Sequence, residues 1–182
     1  MHRTVFVSTL TLLALVVAVA PLPAQRSSSC HDAEPDSADI RIPPPGEPGE
    51  PLLVTGRVLR GPDREPVAGA KLVAFHTDAE GYYSEDGMDE GQARLCGALL
   101  TAEDGSYRIE TIRPAHYATG GPPAHIHFVL TLDDGRTRRF TLNFEGDPKL
   151  GGAPAGERWD RIRPVTAGED GRLRVERDLW VR

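Results

Sequence analysis

The 182-residue chain is long enough for one domain with a substantial core. Its net charge of −6 leaves no basic stripe, which argues against a nucleic-acid partner. His2 and Arg3 open the chain with positive charge, and Val5 to Ala20 carries none. Leu22-Pro23-Ala24 then offers a small residue before a cut at Gln25. Residues 1–24 therefore read as a secretory signal peptide, too short in its apolar run for a membrane span, with cleavage expected over retention as an anchor. No later segment is apolar enough to cross a bilayer, so the mature chain is expected in the periplasm or outside the cell, without a membrane span.

Residues 25–51 are rich in Ser, Asp, Glu and Pro, with Pro43-Pro44-Pro45 among them, and read as an extended arm or linker. Cys30 lies in this arm and Cys96 beyond a charged loop. An oxidising compartment allows one disulfide that ties the arm to the domain; the alternative is two unrelated thiols.

The globular domain is expected over 52–182. Leu52 to Leu59 and Ala70 to Phe75 are strand candidates, separated by a Gly61-Pro62-Asp63 turn. Thr77 to Gly97 is long, acidic and glycine-containing, without a helical period; loops of that length are usually functional or disordered. Its acidic run, Glu85-Asp86 and Asp89-Glu90, reads as a solvated face rather than a calcium site. Ser106 to Ile112 is a strand opened by Asp104-Gly105. His125 to Leu132 and Arg136 to Phe144 flank Asp133-Asp134-Gly135, a hairpin signal. Leu173, Val175, Leu179 and Val181 mark a closing strand. Short strands, frequent turns and no long amphipathic helix predict an all-β fold, an antiparallel β-sandwich.

On the His125 strand, Ala124, Ile126, Phe128 and Leu130 share one face, and His125, His127 and Val129 the other. The first set suits a core. The second presents two imidazoles about 6.6 Å apart along the strand, within reach of one metal ion. Half-exposed surface histidines are the plain alternative. Cupins and α-type carbonic anhydrases also place His-x-His on a strand, but each needs a further histidine downstream, and none follows His127. His116 is the rival ligand upstream, and beside Tyr117 it points the other way on an extended segment. Two phenolates added to the imidazoles would suit ferric iron. Tyr107, after a turn, reads as a core aromatic, and Tyr82 as a surface or packing residue facing away from Tyr83.

Several motifs occur in order: Gly49-Glu50-Pro51-Leu52 with Thr55-Gly56-Arg57-Val58, Glu65-Pro66-Val67 to Ala70, Asp78 to Ser84, Thr101 to Tyr117, Pro123 to Phe128, and Phe144-Glu145-Gly146-Asp147-Pro148. From about Gly49 to Pro148 the chain resembles the intradiol ring-cleavage dioxygenases. The resemblance implies a non-haem Fe(III) cofactor, a small aromatic diol and O2 as substrates, and cleavage between the two hydroxyls to a muconate-type diacid. It implies Tyr83, Tyr117, His125 and His127 as metal ligands, with Tyr117 also catalytic as the ligand that departs and takes a substrate proton. Pro122 stands where the family usually has an arginine, Thr141 where it has a glutamine, and Cys96 where arginine is common. Arg113, or an arginine from the Tyr83–Gly97 loop, is the expected substitute. A secreted β-sandwich binding module of transthyretin-like or carboxypeptidase-associated type, or an iron-binding member without turnover, are the competing readings.

Overall fold

Two β-sheets pack their apolar faces together, in a computed structural model that describes residues 30–85, 87–150 and 162–181. The expected signal peptide and part of the arm lie outside the described residues. The strands are β1 (Asp39–Arg41), β2 (Pro51–Arg60), β3 (Glu65–Pro66), β4 (Lys71–His76), β5 (Leu95–Leu100) and β6 (Ser106–Ile112), then β7 (His125–Thr131), β8 (Thr137–Phe144), β9 (Ile162–Arg163), β10 (Thr166–Ala167), β11 (Leu173–Glu176) and β12 (Leu179–Val181). One sheet has the order β1-β6-β2-β11-β10, with β3 and β12 also paired to β2; the other is β5-β4-β7-β8-β9. The central pairs β2–β6, β4–β5, β4–β7 and β7–β8 are antiparallel, so the fold is the expected β-sandwich. Parallel pairing appears where β1 meets β6, β9 meets β8, and β11 and β12 meet β2.

Alternation along the strands decides which side chains enter the core. On β7, Ile126, Phe128 and Leu130 are fully buried against Leu52, Val54 and Val58 of β2 and Ile109 of β6. Each such side chain contributes roughly 1.5–3 kcal/mol by leaving water. Gly56 continues the inward row of β2, where a side chain has no room. A Cβ there would lie 2.0 Å from the Arg177 carbonyl oxygen, and the buried Tyr107 hydroxyl donates a hydrogen bond to that same carbonyl. Tyr107 is thus the core aromatic its position after a turn predicts.

Three segments depart from the sequence expectation. The Thr77–Gly97 loop ends early, because β5 begins at Leu95 and pairs along the whole of β4. Gly97 and the small Ala98 disguise that strand in the sequence. The closing strand is two pieces that break at Arg177 and Asp178, where the chain turns its carbonyl to Tyr107 and Asp178 accepts from the Arg57 backbone N–H. The arm is extended, but packed rather than loose. Its β1 joins β6, while Ile40 and Ile42 lie over Gly97 of β5, where a Cβ would meet Ile40 at 2.9 Å. Arg94 holds Glu47 through two bonds of 2.7 Å. Cys30 and Cys96 form a disulfide with their Cα atoms 6.0 Å apart. Among the described residues no helix is long and apolar enough to cross a membrane.

The bridge closes a loop with a sequence separation of 66, so its loss frees considerable unfolded-state entropy. The Cys30→Ser, Cys96→Ser double variant is expected to lose about 2–4 kcal/mol of unfolding free energy, read from urea titrations with and without reductant. Equal midpoints in all arms would show that the arm is held by β1 and Arg94 alone.

Candidate metal centre

β7 turns its second face outward, beneath the loops that join β4 to β5 and β6 to β7. His125 and His127 stand on that face. In register they oppose Asn143 and Thr141 of β8, and His127 also opposes Phe75 of β4. The Phe75 ring stacks on His127 with centroids 4.8 Å apart, which fixes the imidazole plane. His125 Nδ1 lies 2.7 Å from the Pro123 carbonyl oxygen. A carbonyl only accepts, so Nδ1 carries the proton and Nε2 presents its lone pair. The start of the strand is held from behind: Asp147 accepts from the Ala124 N–H at 3.1 Å, and Asn143 donates to the Ala124 carbonyl. This gives the Phe144-Glu145-Gly146-Asp147-Pro148 motif its structural purpose.

The tyrosines arrive from the two covering loops. After β4, the Asp78 carboxylate accepts from the N–H groups of Glu80 and Tyr82 and bends the chain toward Gly81. Gly81 has φ +91°, and a Cβ there would lie 2.1 Å from the His116 carbonyl oxygen. That contact lets the Tyr83 and Tyr117 loops touch, and the Ala118 N–H bonds to the Gly81 carbonyl. The Asp78 backbone carbonyl accepts from the Ala115 N–H, and Thr77 Oγ1 donates to the Ala115 carbonyl. Tyr83 lies almost wholly buried in a small second cluster with Val73 and Phe75.

Four polar atoms converge as a result. Tyr83 Oη is 2.8 Å from Tyr117 Oη, Tyr117 Oη is 3.4 Å from His125 Nε2, and His125 Nε2 is 2.8 Å from His127 Nε2. Tyr117 Oη also donates to Glu90 Oε1 at 3.2 Å, which leaves Tyr83 to donate to Tyr117. Because His125 Nε2 offers a lone pair, His127 Nε2 supplies the proton between the two rings. Burial pushes the Tyr83 phenol far above its ordinary range, reinforced by the bond it donates to Tyr117; burial raises Tyr117 as well. Burial, followed by the neighbouring His125, lowers His127 to about 4. Burial thus favours the neutral forms of both phenols and of His127, and a cation bound here would displace phenolic protons. Among the described residues no three His, Cys, Asp or Glu side chains form a metal site by themselves, so any donor set here depends on the phenols.

Every site residue named from the sequence stands at this point, whereas His116 is exposed and contributes only its carbonyl, against Gly81. The expected substitute arginines lie elsewhere. Arg94 binds Glu47 and Asp78, and Arg113 sits over the Phe144 ring beside Glu50. Two residues were missed. Glu90, assigned to a solvated acidic run, reaches the centre from a 3-10 turn at Glu90–Gln92. Arg139 of β8 has its guanidinium 3.9 Å from Glu90 Oε2 and shares the outer face with His127 through the Val129 pairing. The length of the loop was the signal for Glu90; alternation back from Thr141 was the signal for Arg139.

The β-sandwich thus gathers two phenols and two imidazoles about one point, a donor set able to hold a metal ion. The family model described as "Dioxygenase" matches residues 27–157. The chain is 34% identical over 146 residues to catechol 1,2-dioxygenase 1 of Acinetobacter lwoffii, covering 70% of this chain and 47% of that protein. It is 36% identical over 118 residues to the protocatechuate 3,4-dioxygenase beta chain of Burkholderia cepacia, covering 58% and 49%. The dioxygenase domain of a dioxygenase–carbohydrate-binding protein fusion from Streptomyces sp. SirexAA-E superposes with TM-score 0.66 at 25% identity, covering 82% of this chain and 91% of that one. The chain belongs to the intradiol ring-cleavage dioxygenase family. It spans about half the length of the curated relatives it matches.

Two histidines make the metal-free fold acid-sensitive. His76, fully buried between Thr111 and the Thr77 carbonyl, is lowered to about 4 by burial, as His127 is. Unfolded, both rings take up a proton near their ordinary value of 6.5. Between about pH 6.5 and 4 the unfolded chain holds more protons, so stability falls as pH drops through that window. Urea midpoints of metal-free protein are expected to decline there, and His76→Gln to shallow the slope by about one proton. A flat profile across that range would show that neither ring is held neutral.

Proposed function

We propose that the chain is a non-haem ferric dioxygenase that opens a catechol-type ring between its hydroxyls and releases a muconate-type diacid. The observation that carries this is the convergence of Tyr83, Tyr117, His125 and His127 on one point in a chain of the intradiol family. Two hard phenolates and two imidazoles suit a trivalent, strongly Lewis-acidic ion. When bound, ferric iron would supply the Lewis acidity that holds both substrate oxygens and the electronic path that exposes the ring to O2. The rest falls to the side chains. His125, fixed by Pro123, and His127, fixed by Phe75, hold one side of the centre rigid. Tyr83 is buried, packed against Val73 and Phe75. Tyr117 is half-buried and hydrogen-bonded to a carboxylate at the solvent edge, so its phenolate is the one free to move and accept a substrate proton. The surrounding apolar cluster of Val73, Phe75, Met88 and Val129 limits water.

We also propose export of the mature protein, supported by the uncharged Val5–Ala20 run and by the Cys30–Cys96 bridge, which an oxidising compartment would maintain. Cell fractionation tests this: recovery of uncut chain in the cytoplasm would refute it.

The ferric-loaded protein is expected to show a broad visible phenolate-to-iron band, and to consume one O2 per catechol with an ultraviolet change marking ring opening. Tyr83→Phe and Tyr117→Phe should each shift or bleach the band, and Tyr117→Phe should lower kcat by about 10²-fold. A preparation that stays colourless after ferric reconstitution refutes the assignment. A coloured protein inert to catechol is an iron-binding family member without turnover.

A further inference from the structure

Glu90 lies where a fifth ligand would stand. Its Oε1 is 3.2 Å from Tyr117 Oη and 3.5 Å from His127 Nε2. Donors bound at right angles to one ion, each at about 2.0–2.2 Å, lie roughly 3 Å apart. The neighbouring separations within the centre span that value, at 2.8 Å for the two tyrosines, 2.8 Å for the two histidines and 3.4 Å for Tyr117 with His125. Oε1 of Glu90 thus stands at adjacent-ligand spacing from one phenol and one imidazole together.

The backbone is built to put it there. The Tyr83 N–H bonds to the Gly87 carbonyl, and the Tyr83 carbonyl accepts from the Arg94 N–H. Both main-chain groups of one proposed ligand therefore clamp the segment that carries Glu90. Asp89 caps the turn, accepting from the Gly91 N–H and the Gln92 amide. Met88 and Ala93, on either side, pack against the Val73, Phe75 and Tyr83 cluster. Arg139 stands 3.9 Å from Oε2, leaving Oε1 to face the centre.

We propose that Glu90 is a fifth protein donor to the metal, giving a centre of two phenolates, two imidazoles and one carboxylate; this rests on the ferric site proposed above. Two phenolates balance two of a ferric ion's three positive charges, and the Glu90 carboxylate balances the third. Glu90 is also the donor at the solvent edge, with its side chain 42% exposed, and it has Arg139 to turn to. It is therefore placed to give way, together with Tyr117, to an incoming diol that binds through two oxygens.

Ferric affinity, measured by competition with a ferric chelator of known strength, and the energy of the phenolate-to-iron band both report the donor set without turnover. Glu90→Gln and Glu90→Ala are each expected to weaken ferric binding by about tenfold or more and to move the band to lower energy, because an ion that loses an anionic donor draws electrons more strongly. Circular dichroism of the metal-free variants checks the fold, and the isosteric Glu90→Gln keeps the test valid if the smaller side chain loosens the turn. A coloured wild type with both variants at wild-type affinity and band position overturns the fifth ligand alone. A colourless wild type overturns the ferric site and this proposal with it.

Discussion

The site and the core share β7, and the two-residue period of that strand couples them. Ile126, Phe128 and Leu130 go inward because their burial stabilises the sandwich, and the same alternation sends His125 and His127 outward as a pair. A one-residue slip against β4 or β8 would put imidazoles in the core and isoleucine in the site. Such a slip costs the core several kcal/mol, so hydrophobic packing enforces the geometry of polar chemistry on the opposite face. Phe75 tightens the coupling, since its place across from His127 in the register also makes it the ring that His127 stacks upon.

What covers the histidines is held by polar contacts of a different kind. Asp78 holds three parts of the molecule at once: the bend before Gly81, the Ala115 backbone ahead of Tyr117, and the Arg94 guanidinium that reaches back to Glu47 in the arm. Gly81 permits the closest approach, where any side chain would collide with the His116 carbonyl. The two phenols are thereby delivered from loops with little regular structure to within a hydrogen bond of each other. Burial favours their protonated forms, so a cation bound between them would release protons.

The N-terminal arm belongs to this construction. Its strand joins the first sheet, its isoleucines cross to β5 of the second, and its cysteine and Glu47 bind the segment on either side of Arg94. An element that closes the open side of the sandwich also steadies the loop that carries Glu90. A disulfide and one bidentate arginine supply this support.

Several features were legible in the sequence because they are local. Short apolar or alternating runs bounded by turn residues mark β2, β4, β6, β7 and β8, the Asp-Asp-Gly turn marks the β7–β8 hairpin, and His-x-His on a strand requires no tertiary information to share a face. The ordered motifs around Tyr83 and Tyr117 identified the family. Other features exist only through contacts distant in sequence. β5 was hidden because Gly97 owes its place to the arm that lies on it, and the broken closing strand owes its break to a carbonyl committed to Tyr107. Glu90 looked like one more solvated acid until the fold set it beside Tyr117 and His127, with Arg139 next to it. Strand period and motif order determined which four residues face one another; only tertiary structure decided what stands around them, because loop closure depends on packing partners that no local pattern records.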